Sequence, residues 1–111
     1  EHLRTGVTML AGYDSVCTVN EVPRVFSPHY VLKEVNGLMM PFMDGPSVQR
    51  RQDVPPVYSR EGTLYLTRTD VVRSGSLYGE RCRGWVLPPE QSLSIDTEAD
   101  WQEAERRLAN R

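Results

Sequence analysis

Asp14-Ser15-Val16-Cys17-Thr18-Val19 is the stretch on which the fold turns. It has strand length, and past Asp14 every side chain is apolar or small, with none of the polar alternation of a strand with one wet face. Such a run suits a strand buried within a sheet. Just upstream, Leu3, Val7, Leu10 and Ala11 recur at helical spacing, so a helix with that apolar face precedes the strand and stops at Gly12. Helix followed by buried strand is an α/β rhythm. The sequence opens at Glu1, without methionine and already inside the helical pattern, which reads as a cut chain with more of the domain expected upstream.

Downstream, Tyr30 to Phe42 carries two apolar segments around Asn36-Gly37, the strongest two-residue signal for a β-hairpin because both residues tolerate positive φ. Leu38, Met39, Met40, Phe42 and Met43 are too many for one face of a solvated ribbon, so another surface is expected to cover them. Asp44 to Pro56 is polar and rich in Pro and Gly, a loop carrying Gln49-Arg50-Arg51-Gln52-Asp53. A second strand follows from Gly62 to Thr67, then Thr69-Asp70 as the cap of a short helix that runs through Ser74 and ends at Gly75. Trp85-Val86-Leu87 is a third apolar segment, stopped by Pro88-Pro89. The last helix starts near Asp96-Thr97, with Asp100 completing an approximate capping box and Trp101, Ala104 and Leu108 on one face.

With 111 residues, 25% of them charged and 39% hydrophobic, the chain has the composition of a small soluble domain. A net charge of −2 and scattered arginines leave no basic stripe, which argues against nucleic acid as a partner. No apolar run approaches the roughly 18 residues of a membrane span, and no signal peptide is evident, so the expectation is a cytoplasmic protein without a membrane partner. Cys17 and Cys82 stand far apart with no CxxC, and reduced thiols are expected. His2 and His29 lack metal-ligand spacing, and no GxSxG elbow is present.

Arg50-Arg51-Gln52-Asp53-Val54-Pro55, then Arg60-Glu61-Gly62-Thr63-Leu64-Tyr65, then Ser92-Leu93-Ser94-Ile95-Asp96-Thr97 with Asp100 and Ala104-Glu105, follow one another in an order and spacing that resemble the C-terminal half of the acylneuraminate cytidylyltransferase family. The resemblance is strongest from Gln49 onward. It implies an incomplete Rossmann-like nucleotide-diphospho-sugar transferase fold, with a mixed or parallel sheet and a β-hairpin dimerisation segment. Within that single domain, residues 1–20 would be a helix and strand, 28–43 the hairpin through which a homodimer forms, and 49–111 the sugar- and metal-binding part. The implied reaction is transfer of CMP from CTP to a nonulosonic acid such as N-acylneuraminate, with release of pyrophosphate and with Mg²⁺ as cofactor. Such chemistry rests mainly on positioning and charge stabilisation. The family's glycine-rich, basic phosphate loop does not occur in this sequence, so the segment alone is expected to be inactive.

Carried over position by position, the resemblance makes Asp96 the metal-binding, catalytic aspartate and Arg51 the arginine that grips the sugar's carboxylate. A guanidinium fork suits that task. Gln52 would bond hydroxyls beside it, Tyr65 would line the sugar pocket, and Leu77 and Tyr78 would meet the sugar's far end. Strand alternation puts Thr63, Tyr65 and Thr67 on one face and Leu64 and Leu66 on the other. Each residue also has a plainer reading: Asp96 as a helix cap, Arg50-Arg51 as a solvated pair, Tyr65 as an ordinary half-buried tyrosine. Ser94 replaces an aspartate frequent in the family, leaving fewer negative ligands for a metal, and Glu61 replaces an asparagine. Both keep open another acidic sugar, of deoxy-octulosonate, legionaminate or pseudaminate type, and a chain serving only as an oligomerisation or binding module stays open beside them.

Overall fold

The computed structural model of the protein describes residues 1–45 and 51–111, Arg51 by its backbone alone. The elements form two compact units, one of residues 1–20 and 60–111, the other of residues 21–59.

The first unit is built on a sheet of three strands in the order β4, β1, β5, where β1 is Ser15–Glu21, β4 is Tyr58–Thr67 and β5 is Cys82–Val86. Strands β1 and β5 run parallel, pairing Ser15 with Cys82 and Cys17 with Gly84. Strand β4 runs the other way: Arg68 N donates to Asp14 O at 3.0 Å, while Leu64 N donates to Thr18 Oγ1 at 2.9 Å. The sheet is therefore mixed, as an α/β reading of the sequence allows.

Five consecutive residues of β1, Ser15 to Val19, are buried, which is what their unalternating pattern requires of a central strand. The two hydroxyls in the run are satisfied: Ser15 Oγ donates to Tyr78 O at 2.7 Å, and Thr18 Oγ1 bonds both the N–H and the carbonyl of Leu64. Buried polar groups so paired cost little, whereas unpaired ones would cost about 1–3 kcal/mol each. Leu87, just past β5, completes this core.

Helix α1, His2–Met9, presents a different face from the one its apolar residues suggest. Leu3 and Val7 are exposed, and the buried residue is Gly6, with His2, Met9 and Leu10 half-buried on the same side. Spacing alone could not reveal this, because contact is made by the absence of a side chain. A methyl group on Gly6 would stand 2.4 Å from Leu64 Cδ2 and 2.9 Å from Leu66 Cδ1, so the helix backbone lies directly on β4.

Helix α2, Thr69–Arg73, starts from Arg68 as its N-cap rather than from Thr69-Asp70, and no side chain caps it. Asp70 lies within the first turn instead and pairs with Arg68 at 3.2 Å. Helix α3, Glu98–Ala109, has the full capping box: Thr97 Oγ1 accepts from Asp100 N, and Asp100 Oδ2 accepts from Thr97 N. Of the face expected to be apolar, Trp101 and Leu108 are exposed and only Ala104 is half-buried. The helix is tethered by polar bonds, Arg107 Nη1 donating to the carbonyls of Glu90 and Ser92 at 3.3 and 3.1 Å.

In the second unit, β2 (Leu32–Val35) and β3 (Leu38–Pro41) pair antiparallel around the expected Asn36-Gly37 turn, whose φ values of 51° and 81° match a type I′ hairpin. Every residue of both strands is exposed. Among the described residues of this unit Val54 and Ser27 are buried, and Val22 N donates to Val57 O at 2.8 Å.

Candidate functional site

Gly62 lies inside β4 with φ +90°, a conformation that breaks strand alternation in the manner of a bulge. The break explains a contact that strict alternation forbids. Arg60 and Tyr65 are an odd number of residues apart, yet the Arg60 guanidinium lies 4.1 Å from the centroid of the Tyr78 ring, which in turn lies 6.3 Å from the Tyr65 ring at 52°. Two of the residues singled out from sequence, Tyr65 and Tyr78, are thus brought together, with Arg60 as a cation over the second ring. Nothing about Arg60 itself marks it in the sequence, although a glycine within a strand pattern, at Gly62, signals that a side chain is re-aimed.

The loop before β5 that carries Leu77 and Tyr78 is pinned along its length. Thr67 Oγ1 donates to Leu77 O at 2.6 Å, Ser15 Oγ to Tyr78 O at 2.7 Å, and Gly79 N to Ser76 Oγ at 2.8 Å. Asp14 Oδ2 accepts from both Glu80 N and Arg81 N at 3.0 Å. The result is a fixed backbone platform from which Leu77 projects, exposed, beside half-buried Tyr78.

Glu61 is turned back on its own strand, accepting from Thr63 N and from Thr63 Oγ1, each at 2.8 Å. Burial works against its charge, but the bonds from Thr18 and Thr63 outweigh it and hold the carboxyl below the usual glutamate range. It is an anion with both oxygens engaged.

Asp96 follows β5 by way of a 3₁₀ turn at Pro89–Gln91 and is exposed. Ser94 Oγ donates to its Oδ2 at 2.9 Å, and its own N–H donates to Asp100 Oδ2 at 3.0 Å. Since Thr97 and Asp100 cap α3, the plain reading of Asp96 as the helix cap does not hold, and its carboxylate is not spent on the helix end. Among the described residues no three His, Cys, Asp or Glu side chains gather as a metal cage. Mg²⁺ ordinarily takes one or two carboxylates and completes its shell with water and phosphate oxygens, and Asp96 fits that donor set.

Tyr78 is anchored to Ser15 at the amino end of the parallel pair, whereas Ser92, ahead of Asp96, donates to Asn20 Oδ1 at the carboxyl end. At about 3.3 Å per strand residue, those anchors stand roughly 16 Å apart. The loop carrying Tyr78 and the segment leading to Asp96 are thus anchored at opposite ends of β1. Gln52 is exposed on a 3₁₀ turn, Arg51–Asp53, of the second unit. The side chain of Arg51, together with Gln49 and Arg50, lies outside the described residues. Among the described residues no helix is long and apolar enough to cross a membrane.

No protein-family model matches the chain. Two curated proteins of Danio rerio do. N-acylneuraminate cytidylyltransferase A is 30% identical over 115 aligned residues, which cover 97% of this chain and 26% of that protein. N-acylneuraminate cytidylyltransferase B is 36% identical over 59 residues, 53% of this chain and 14% of that protein. The chain thus spans about a quarter or less of the length of these relatives.

Proposed function

We propose, because this chain is a relative of the acylneuraminate cytidylyltransferases over nearly all of its length, that it serves as the C-terminal part of an enzyme transferring CMP from CTP to a nonulosonic acid such as N-acylneuraminate. That relationship is the observation carrying the reading. The sugar's hydroxyl would attack the α-phosphorus of CTP and pyrophosphate would leave. Bound Mg²⁺ would neutralise phosphate charge, with Asp96 as its protein ligand. Ser94, donating to Oδ2, orients that carboxylate.

Arg51 would hold the sugar's carboxylate and Gln52 its hydroxyls, Tyr65 would line the sugar pocket, and Leu77 and Tyr78 would meet the sugar's far end. The fold is read as an incomplete Rossmann-like transferase fold, and the exposed apolar hairpin as the homodimer contact. Glu61 favours a second reading within the same chemistry. A fixed anion where the family's asparagine stands selects for a different acidic sugar, of deoxy-octulosonate, legionaminate or pseudaminate type. A binding module without catalysis is the reading left if chemistry fails.

The test is Mg²⁺-dependent pyrophosphate release from CTP by the native full-length chain across a panel of nonulosonic and octulosonic acids. Release with one acid, reduced about a hundredfold or more by Asp96→Asn, supports both the reaction and the aspartate's role. No release with any acid transfers the reading to the binding module.

A further inference from the structure

We propose that Cys82 and Cys17 are a redox pair, oxidised by a hydroperoxide to a disulfide within one chain. The two residues are 65 apart in sequence, yet Cys82 Sγ–H donates to Cys17 Sγ at 3.6 Å. Both thiols are free. The register explains how they meet: Cys82 pairs with Ser15 and Cys17 with Gly84, so the cysteines are diagonal neighbours on one face of the parallel pair. Gly84, opposite Cys17, has no side chain to stand between the sulfurs.

Exposure orders the chemistry. Cys82 is exposed on β5, at an edge of the sheet, and Cys17 is 5% exposed on the central strand. A small peroxide reaches Cys82 first. Burial, then the neighbouring Cys82 thiol, pushes the Cys17 thiol up, with the Arg60 guanidinium pulling it the other way. That environment suits a thiol that waits for a partner rather than one that reacts with solvent oxidants.

In the first step the Cys82 thiolate attacks the hydroperoxide. An S–O bond forms, the O–O bond breaks, and the leaving oxygen takes a proton to become water or an alcohol, with Cys82 left as the sulfenic acid. Next, Cys17 gives up its proton and attacks the Cys82 sulfur; the S–S bond forms, the S–O bond breaks and water leaves. Two thiols lose two electrons in total and one hydroperoxide gains them. Diagonal strand neighbours stand about 7–8 Å apart at Cα, beyond the roughly 7 Å a disulfide spans without backbone movement, so closing the bond must draw the edge strand β5 toward β1.

The experiment is mass-spectrometric mapping of the native full-length chain after brief treatment with hydrogen peroxide, with alkylation of the remaining thiols under denaturing conditions. Expected is a linked peptide pair carrying Cys17 and Cys82 from the same chain, reversed by dithiothreitol. In Cys82→Ser, where only an exposed side chain changes, Cys17 should remain alkylatable. In Cys17→Ala, Cys82 should accumulate as a sulfenic acid that dimedone traps. The proposal is overturned if both thiols of the unaltered chain stay independently alkylatable, if Cys82 links two chains instead, or if Cys82 overoxidises equally fast with and without Cys17.

Discussion

Gly79 meets Asp14 so closely that a methyl group on the glycine would stand 2.6 Å from both Cβ and Oδ2 of the aspartate. That aspartate holds the loop carrying Leu77 and Tyr78 by accepting from Glu80 N and Arg81 N. Gly79 has φ +68°, a conformation that costs a side chain about 1–2 kcal/mol before any contact is counted. Gly79→Ala should therefore destabilise by about 2–4 kcal/mol. Gly75→Ala, at φ +92° with nothing within 4 Å, is the control and should lose only the conformational part. Urea unfolding of both variants measures the difference, and equal losses would mean that the Asp14 contact carries no energy.

The elements whose signals are local were legible in the sequence. The Asn36-Gly37 hairpin, the Thr97 capping box and the unalternating buried strand at Ser15 to Val19 each depend on residues that are neighbours in the chain. What was not legible depends on contacts made by missing atoms or by distant segments. Gly6 faces β4 because it has no side chain, which a search for apolar stripes cannot register. The Arg60 stack on Tyr78 needs the alternation break at Gly62, and the meeting of Cys17 with Cys82 needs the register of two strands far apart in sequence. At the candidate site, residue identities came from a resemblance in three blocks, but the meeting of Tyr65 with Tyr78, 13 residues apart, came only with the fold.

Gly6→Ala sets two effects of opposite sign against each other. Alanine gains about 1 kcal/mol in helix propensity. Against this, its methyl group would stand 2.4 Å from Leu64 Cδ2 and 2.9 Å from Leu66 Cδ1, and overpacking of that kind costs about 1–3 kcal/mol. A net loss of about 1 kcal/mol is expected for Gly6→Ala and a larger one for Gly6→Leu, while Leu3→Ala, on the exposed face, should change stability little. Thermal melts of the three variants rank them. Were Leu3→Ala the most damaging, the helix would dock by its apolar stripe and not by its glycine.

The final helix should loosen in acid. Glu103 accepts from Arg106 through two bonds of 2.7 Å and from Arg107 at 2.7 Å, which hold its carboxyl at about 2. Asp100 is lowered as well, by the N–H of Asp96 and by the hydroxyl and N–H of Thr97. Both folded values lie below the unfolded ones. Their stabilisation is therefore complete above the ordinary carboxylate range of about 4 and is lost as pH falls from there toward about 2. Helical circular dichroism should drop across that window, less steeply in Glu103→Gln, and the effect should shrink in 1 M salt because these groups face solvent. A profile unchanged by the substitution would remove Glu103 as its cause.

The hairpin carries the most direct test of assembly. Leu38 is 67% exposed, Met39 63% and Phe42 61%, an apolar surface on a ribbon whose backbone is already paired. If two copies bury this surface against each other, each leucine withdrawn from water contributes about 1.5–3 kcal/mol, and twofold symmetry counts it twice. Leu38→Glu in the native full-length chain should then raise the dimer dissociation constant by a hundredfold or more, at 1.4 kcal/mol for each tenfold. The fold itself should persist, because the side chain is exposed. Sedimentation equilibrium with far-ultraviolet circular dichroism on the same samples reads both quantities. A monomer with an unchanged spectrum places the interface on β2 and β3; a dimer as tight as the unaltered chain's removes the hairpin from the contact and leaves its methionines to pack against another part of their own subunit.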